Sequence, residues 1–207
     1  FKTHKTAAIA ELQKKGGATG ITCAKLGEAE ALADAGVYDD FFIANQIVGP
    51  IKLRRLVALM DRAKVRVAVD TVEVAAGLNA AMADAGKTLD VIIELNTGQD
   101  RAGVKPGDEA LRLAETIRAD MPNLRVIGLM THEGQVNSTD GVEGMTETAL
   151  SAGHAIIDSA ELLREHGFDI QVVSVGSTPA AFTTTTIEGV TEMRPGTYVF
   201  NDRAYLR

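Results

Sequence analysis

The chain has 207 residues, of which 45% are hydrophobic and 24% charged, and its formal net charge is -7 at pH 7. This composition indicates one folded domain and excludes an intrinsically disordered chain, because the hydrophobic fraction is high and the net charge is modest. The acidic balance and the low aromatic content of 4% argue against nucleic-acid binding, and no apolar run is long enough for a membrane span.

Short apolar runs alternate with amphipathic segments along the chain. Seven runs rich in Val, Ile, Leu and Phe predict strands over 18–24, 39–45, 65–70, 89–96, 124–130, 170–176 and 190–200. Several are continuously apolar, as is typical of a parallel sheet covered on both faces. Helices are predicted between consecutive strands, over 26–35, 50–63, 71–85, 107–120 and 144–166.

This alternation predicts an α/β fold, specifically a (β/α)8 TIM-type barrel. An eighth strand is expected at the chain start, ending just before or at Lys2. A doubly wound open sheet is the alternative, because periodicity alone does not separate the two architectures.

Polar residues follow the predicted strands directly, where a barrel collects its chemistry. Gly176-Ser177-Thr178 and Gly196-Thr197 come after the last two strands, which is a common phosphate site in barrels. Glycine permits close backbone approach, and N–H and hydroxyl groups can bind anionic oxygens. The alternative interpretation is a pair of ordinary turns.

Three further side chains are candidates for the chemistry. Lys2 lies at the expected barrel mouth, where a desolvated lysine is a nucleophile towards carbonyls, although a solvated terminal lysine is the alternative. Arg101 follows a glycine-containing turn, where its guanidinium could pair with a phenolate or carboxylate of a ligand. The alternative is an ion pair on the protein surface. His132 follows the fifth predicted strand, where it could stack on a planar ligand or transfer a proton. The alternative is a structural histidine. No His, Cys, Asp or Glu spacing indicates a metal site.

Four motifs taken in order resemble one known family. They are K-T-H-K-T, G-I-T-C-A-K-L-G-E-A-E, S-V-G-S-T-P and M-R-P-G-T-Y-V-F-N-D. Together they are similar to the alanine racemase-like barrel domain of the D-threonine aldolase and D-serine dehydratase family, whose members are fold-type III pyridoxal 5'-phosphate (PLP) enzymes. The resemblance runs from Lys2 to about Asp202.

The resemblance implies a role for each candidate residue. Lys2 matches the lysine that binds PLP covalently, Arg101 the arginine near the ring hydroxyl, and His132 a ring-contacting position where relatives can carry tyrosine. The family's phosphate cradle maps onto Gly176, Ser177, Thr178, Gly196, Thr197 and Tyr198. Arg194 precedes that cradle and is expected to approach the ring.

The resemblance also implies an activity. The expected function is that of a PLP-dependent lyase that cleaves D-3-hydroxy amino acids to glycine and an aldehyde. Ammonia elimination of the D-serine or D-3-hydroxyaspartate dehydratase type is the alternative. A non-catalytic PLP carrier and a barrel enzyme for a phosphorylated metabolite are the other classes.

Further expectations concern what surrounds this chain. We expect residues 1–207 to be one PLP-binding barrel domain, cut from a protein whose C-terminal β-domain binds a divalent metal (Mn, Mg or Zn). A homodimer is expected from the same resemblance. The single cysteine, Cys23, fits a reducing compartment and hence the cytoplasm.

Overall fold

The strands form one parallel sheet in a computed structural model that describes residues 1–201. They are β1 (Ile21–Cys23), β2 (Asp40–Ile43), β3 (Lys64–Val69), β4 (Leu89–Leu95), β5 (Leu124–Thr131), β6 (Val172–Val175) and β7 (Glu192–Met193). Each strand pairs in parallel with the next along the chain. This order rules out the doubly wound alternative, in which the strand order reverses at a switch point.

Helices alternate with the strands. They are α1 (Ala7–Lys15), α2 (Leu26–Asp34), α3 (Pro50–Met60), α4 (Val72–Ala85), α5 (Asp108–Asp120), α6 (Gly141–Glu165) and α7 (Ala181–Thr184), with short 3-10 helices at Gly134–Ser138 and Thr197–Val199. The five helices predicted between strands are therefore confirmed. In the described residues, none of these helices has both the length and the apolarity to cross a bilayer.

Local sequence signals account for the ends of α4. Thr71 precedes the helix, and its side chain accepts a hydrogen bond of 3.2 Å from the Val74 N–H. Gly86 ends the helix at φ 62°, in the left-handed region that glycine adopts at little cost. An N-terminal cap and a C-terminal glycine thus delimit the helix.

The sheet curves so that it has an inner and an outer apolar face. The helices cover the outer face, where Leu56, Leu78 and Leu163 are fully buried in the main core. A separate inner cluster contains Phe42, Ala68, Ile92, Ile127 and Met130. The curved sheet therefore has an apolar cluster on each face, as a barrel requires.

An ion pair shows how far the sheet curves. Arg66 of β3 donates to Glu192 of β7 over 2.8 Å, although three strands separate β3 from β7 in the sheet. Two such side chains meet only if the sheet bends round towards itself. The architecture is therefore a curved, seven-stranded parallel half-barrel with alternating helices.

The expected eighth strand is not formed in residues 1–201. Lys2 lies in a turn, in which the N–H groups of His4 and Lys5 both donate to the Phe1 carbonyl over 3.2 and 3.0 Å. The seventh strand is also shorter than predicted, because Pro195 has no N–H for the ladder and a 3-10 turn follows at once. Asp202, the last residue of the fourth motif, lies outside the described residues.

Candidate active site

A cavity of about 390 Å³ opens at the carboxyl ends of the strands. Its volume falls in the range of small-molecule and cofactor sites. All of the residues predicted as site residues line it: Lys2, Arg101, His132, Gly176, Ser177, Thr178, Arg194, Gly196, Thr197 and Tyr198. They come from five different parts of the chain, and the parallel arrangement of the strands brings them to one edge.

The turns after β6 and β7 form one joined surface. The Thr178 hydroxyl accepts hydrogen bonds from the N–H groups of Gly196 and Tyr198, over 3.2 and 3.3 Å. A Cβ atom placed on Gly176 would lie only 2.8 Å from the Arg194 Cβ. Glycine at position 176 is thus required for the close approach of the two turns.

The cradle carries unused hydrogen-bond donors. The N–H groups of Ser177, Thr178 and Thr197 have no acceptor within residues 1–201. The hydroxyl groups of the same residues stand beside these donors, and Ser177 is buried. Converging N–H and O–H donors are what an anionic phosphate needs, so these residues fit the phosphate group of PLP.

His132 and Glu133 hold the cradle from β5. The His132 Nδ1 contacts the Gly176 carbonyl, and the Glu133 Oε2 accepts from the Gly176 N–H over 3.1 Å. The N–H and carbonyl groups of Gly176 are therefore both hydrogen-bonded by the adjacent residues His132 and Glu133. Because a peptide unit is planar, a fixed Gly176 carbonyl also fixes the direction of the Ser177 N–H.

The same contact determines the tautomer of His132. A carbonyl oxygen only accepts, so Nδ1 carries the proton and Nε2 holds a lone pair. Burial lowers the pKa of His132 from 6.5, and the nearby Arg194 guanidinium lowers it further, against the raising effect of the Gly176 carbonyl. His132 is consequently a neutral base on the cavity wall.

Glu133 is fully buried, and the sequence analysis did not assign it. Its Oε1 has no hydrogen-bond partner within residues 1–201. Burial raises the pKa of this carboxyl group, while Arg194 and the Gly176 N–H act in the opposite direction. Its position next to His132 in M-T-H-E-G was the only signal that the sequence offered.

Arg194 lines the cavity next to the inner apolar cluster, with its guanidinium carbon 5.8 Å from the centre of the Phe42 ring. Its guanidinium donates to the Ser174 hydroxyl and, over 2.6 Å, to the Thr131 carbonyl. The Ser174 hydroxyl in turn donates to Glu192 over 2.6 Å. Burial lowers the pKa of Arg194, and the surrounding carboxylates oppose that shift, Glu192 most strongly. Arg194 is thus oriented by a buried polar network beneath the cradle.

Arg101 faces a buried carboxylate. Its guanidinium lies 3.9 Å from Glu94, whose other oxygen accepts from the Gln46 side chain over 2.9 Å. Burial raises the pKa of Glu94, and Gln46 and Arg101 oppose that shift. The Asn96 side chain shapes the turn that carries Arg101. Glu94 and Gln46 were missed by the sequence analysis, because neither belongs to a motif.

Lys2 lines the cavity with an exposed side chain. The desolvation expected at a barrel mouth is therefore not seen in the described part of the chain. Lys5, the other lysine of the K-T-H-K-T motif, is absent from the cavity lining and lies just before α1. Of these two lysines, the geometry selects Lys2.

A metal site is not formed by residues 1–201. They contain no group of three or more His, Cys, Asp or Glu side chains placed to hold an ion. The described residues therefore offer no ligand set for a divalent metal, which the resemblance assigns to a C-terminal domain.

Comparison with known proteins places this site in a family. Residues 2–204 match the family described as alanine racemase, N-terminal domain. The chain is 35% identical to a D-threonine aldolase of Arthrobacter sp. over 204 residues, 99% of this chain and 53% of the relative. It is also 35% identical to a D-threo-3-hydroxyaspartate dehydratase of Delftia sp. over 202 residues, 97% of this chain and 53% of the relative.

A solved structure agrees with these relatives. The crystal structure of D-threonine aldolase from Filomicrobium marinum superposes with a TM-score of 0.93 at 35% identity, over 99% of this chain and 55% of that one. The chain spans about half the length of the curated relatives it matches. The fold, the site and these matches together show that the chain belongs to the alanine racemase N-terminal domain family.

Proposed function

We propose that this chain is the PLP-binding domain of a lyase that cleaves D-3-hydroxy amino acids to glycine and an aldehyde. One observation carries the proposal: a lysine, an arginine, a neutral histidine and a two-turn anion cradle line a single cavity. The similarity at 35% identity to a D-threonine aldolase and to a dehydratase for a 3-hydroxy amino acid supports it.

The residues of the cavity divide the binding of PLP between them. The Ser177, Thr178 and Thr197 donors would hold the phosphate, with Gly176, Gly196 and Tyr198 completing the cradle. The Lys2 amine would bind the aldehyde covalently, and Arg101 would face the ring hydroxyl. Arg194, which lines the same cavity, would approach the ring. Bound PLP draws electrons from a bond at the substrate α-carbon.

His132 supplies the base for the cleavage. Its Nε2 lone pair accepts the proton of the substrate β-hydroxyl as the bond between the α- and β-carbons breaks, which gives the aldehyde. The α-carbon must then take up a proton to give glycine. Because Nδ1 is held by the Gly176 carbonyl, the imidazole keeps its orientation during this transfer. Burial keeps the ring neutral, and therefore basic, at neutral pH.

Elimination of ammonia is the second candidate. The dehydratase of Delftia sp. is as similar to this chain as the aldolase of Arthrobacter sp., at 35% identity. In that reaction a base removes the proton from the α-carbon and the β-hydroxyl departs. The Lys2 amine, which lines the same cavity, would be the base.

Three structural expectations remain part of the proposal. The half-barrel would close as a (β/α)8 barrel through an eighth strand between β1 and β7, the two outermost strands of the described sheet. Residues 1–207 would act as one domain of a cytoplasmic homodimer. A divalent metal, Mn, Mg or Zn, would be bound by residues other than those described.

A product assay separates these functions. The protein at its full natural length, loaded with PLP, is given D-threonine, D-serine and D-3-hydroxyaspartate. We expect glycine and an aldehyde; a keto acid with ammonia would instead support the dehydratase. Formation of neither product set, with bound PLP, would refute both lyase reactions and leave a carrier.

Lys2 and Lys5 provide a matched pair of variants for the cofactor. Borohydride reduction should attach PLP covalently to the wild type and to Lys5→Ala, but not to Lys2→Ala. Peptide mass spectrometry locates the modified lysine. Attachment that persists in Lys2→Ala would remove the basis of the proposal.

A further inference from the structure

Three side chains from separate segments form a hydrogen-bonded row beside the phosphate cradle. The His4 Nε2 lies 3.1 Å from the Gln13 Oε1, and the Gln13 amide nitrogen donates to the Tyr198 hydroxyl over 2.7 Å. Gln13 is on α1, whereas Tyr198 follows β7, 185 positions later. Gln13 and Tyr198 both line the cavity that contains the cradle.

The row has a defined direction. The Thr6 N–H donates to the His4 Nδ1 over 3.4 Å, so Nδ1 holds a lone pair and the proton of the neutral ring is on Nε2. The Nε2–H then donates to the Gln13 oxygen, which leaves the Gln13 amide N–H to donate to Tyr198. Burial lowers the pKa of His4, which favours the neutral ring that this direction requires.

This direction leaves the Tyr198 proton available. A phenol hydroxyl has one proton, and its oxygen already accepts from Gln13. The hydroxyl can therefore donate to one further acceptor. The Tyr198 backbone N–H is held by the Thr178 hydroxyl over 3.3 Å, so the residue is anchored in the cradle although 45% of it is exposed.

We propose that Gln13 and His4 are positioning residues that orient the Tyr198 hydroxyl as a donor to the cofactor phosphate. They make the site select the phosphorylated form of the cofactor over pyridoxal, which lacks the phosphate. This inference rests on the proposed function, since it takes PLP as the ligand. Neither Gln13 nor His4 reaches the reacting atoms; both act through Tyr198.

The test compares two ligands that differ only in the phosphate. Dissociation constants of PLP and pyridoxal are measured by absorbance titration of the cofactor-free protein at its full natural length. Tyr198→Phe should weaken PLP binding by roughly tenfold, the lower end for a hydrogen bond to a charged group. Gln13→Met should weaken it by a smaller factor in the same direction. Neither change should alter the affinity for pyridoxal.

A double-variant cycle tests the route of the effect. Because Gln13 acts through Tyr198, Gln13→Met should add no further loss in the Tyr198→Phe protein. His4→Ala should likewise weaken PLP binding only while Tyr198 is present. Losses that multiply, or an equal loss for pyridoxal, would overturn the inference.

Two controls complete the design. Gln13→Glu reverses the row, since a carboxylate accepts the Tyr198 proton and also adds negative charge, and it should weaken PLP binding more than Gln13→Met. Leu12→Glu adds the same charge on α1 at an exposed side chain outside the cavity lining, and it should leave PLP binding unchanged. A wild type that binds no PLP defeats the proposed function as well. Normal lyase activity with unaltered PLP affinity in the variants defeats this inference alone.

Discussion

The close approach of the last two turns makes Gly176→Ala the most informative single substitution. The added Cβ would lie 2.8 Å from the Arg194 Cβ and 3.2 Å from the Arg194 Cα and N. These atoms belong to the backbone and its first side-chain carbon, so they cannot rotate away. Overpacking of this kind costs about 1–3 kcal/mol. At roughly 2–4 °C per kcal/mol for a domain of this size, the Tm should fall by about 2–12 °C.

Gly77→Ala is the matched control. Gly77 lies inside α4, and a Cβ there meets nothing within 4 Å. The same glycine-to-alanine change should therefore stabilise the protein by about 0.5–1 kcal/mol. Thermal denaturation of both cofactor-free variants, followed by circular dichroism, should show shifts of opposite sign. A Tm for Gly176→Ala equal to or above that of the wild type would refute the close approach of the two turns.

Three other predictions test the site and its support. Burial lowers the pKa of His132 from 6.5 in the protein without substrate, so its neutral form persists below that pH. The ratio kcat/KM, which reports the free enzyme, should therefore fall only below pH 6.5, and an acid limb above 6.5 that disappears in His132→Gln would contradict this. Thr178→Val keeps the shape of the side chain but removes the hydroxyl that accepts two backbone N–H groups, so it should weaken PLP binding by roughly tenfold. Unchanged PLP affinity would argue against the joined cradle. Thr71→Ala removes the N-terminal cap of α4 and should lower the free energy of unfolding by about 1 kcal/mol, seen as a lower Tm with unchanged PLP affinity. A Tm equal to that of the wild type would show that the cap does not contribute to stability.

The amino-acid sequence alone was enough to find seven strands, five of the helices between them and ten of the residues that line the cavity. Hydrophobic periodicity is a local property, and it identifies each strand and its end. Parallel strands place their carboxyl ends at one edge, so polar residues that directly follow them converge. For that reason Arg101, His132 and the two turns could be placed at the cavity before any coordinates.

Tertiary structure alone decided the curvature of the sheet, the absence of a strand at Lys2 and the residues that support the site. The Arg66–Glu192 pair reveals the curvature, and Glu133, Glu94 and Gln13 act on the predicted residues from other segments. Such contacts join side chains up to 185 positions apart, and periodicity carries no information about them. The physical reason is that a polar side chain acquires its partner, its tautomer and its burial only when packing brings distant segments together.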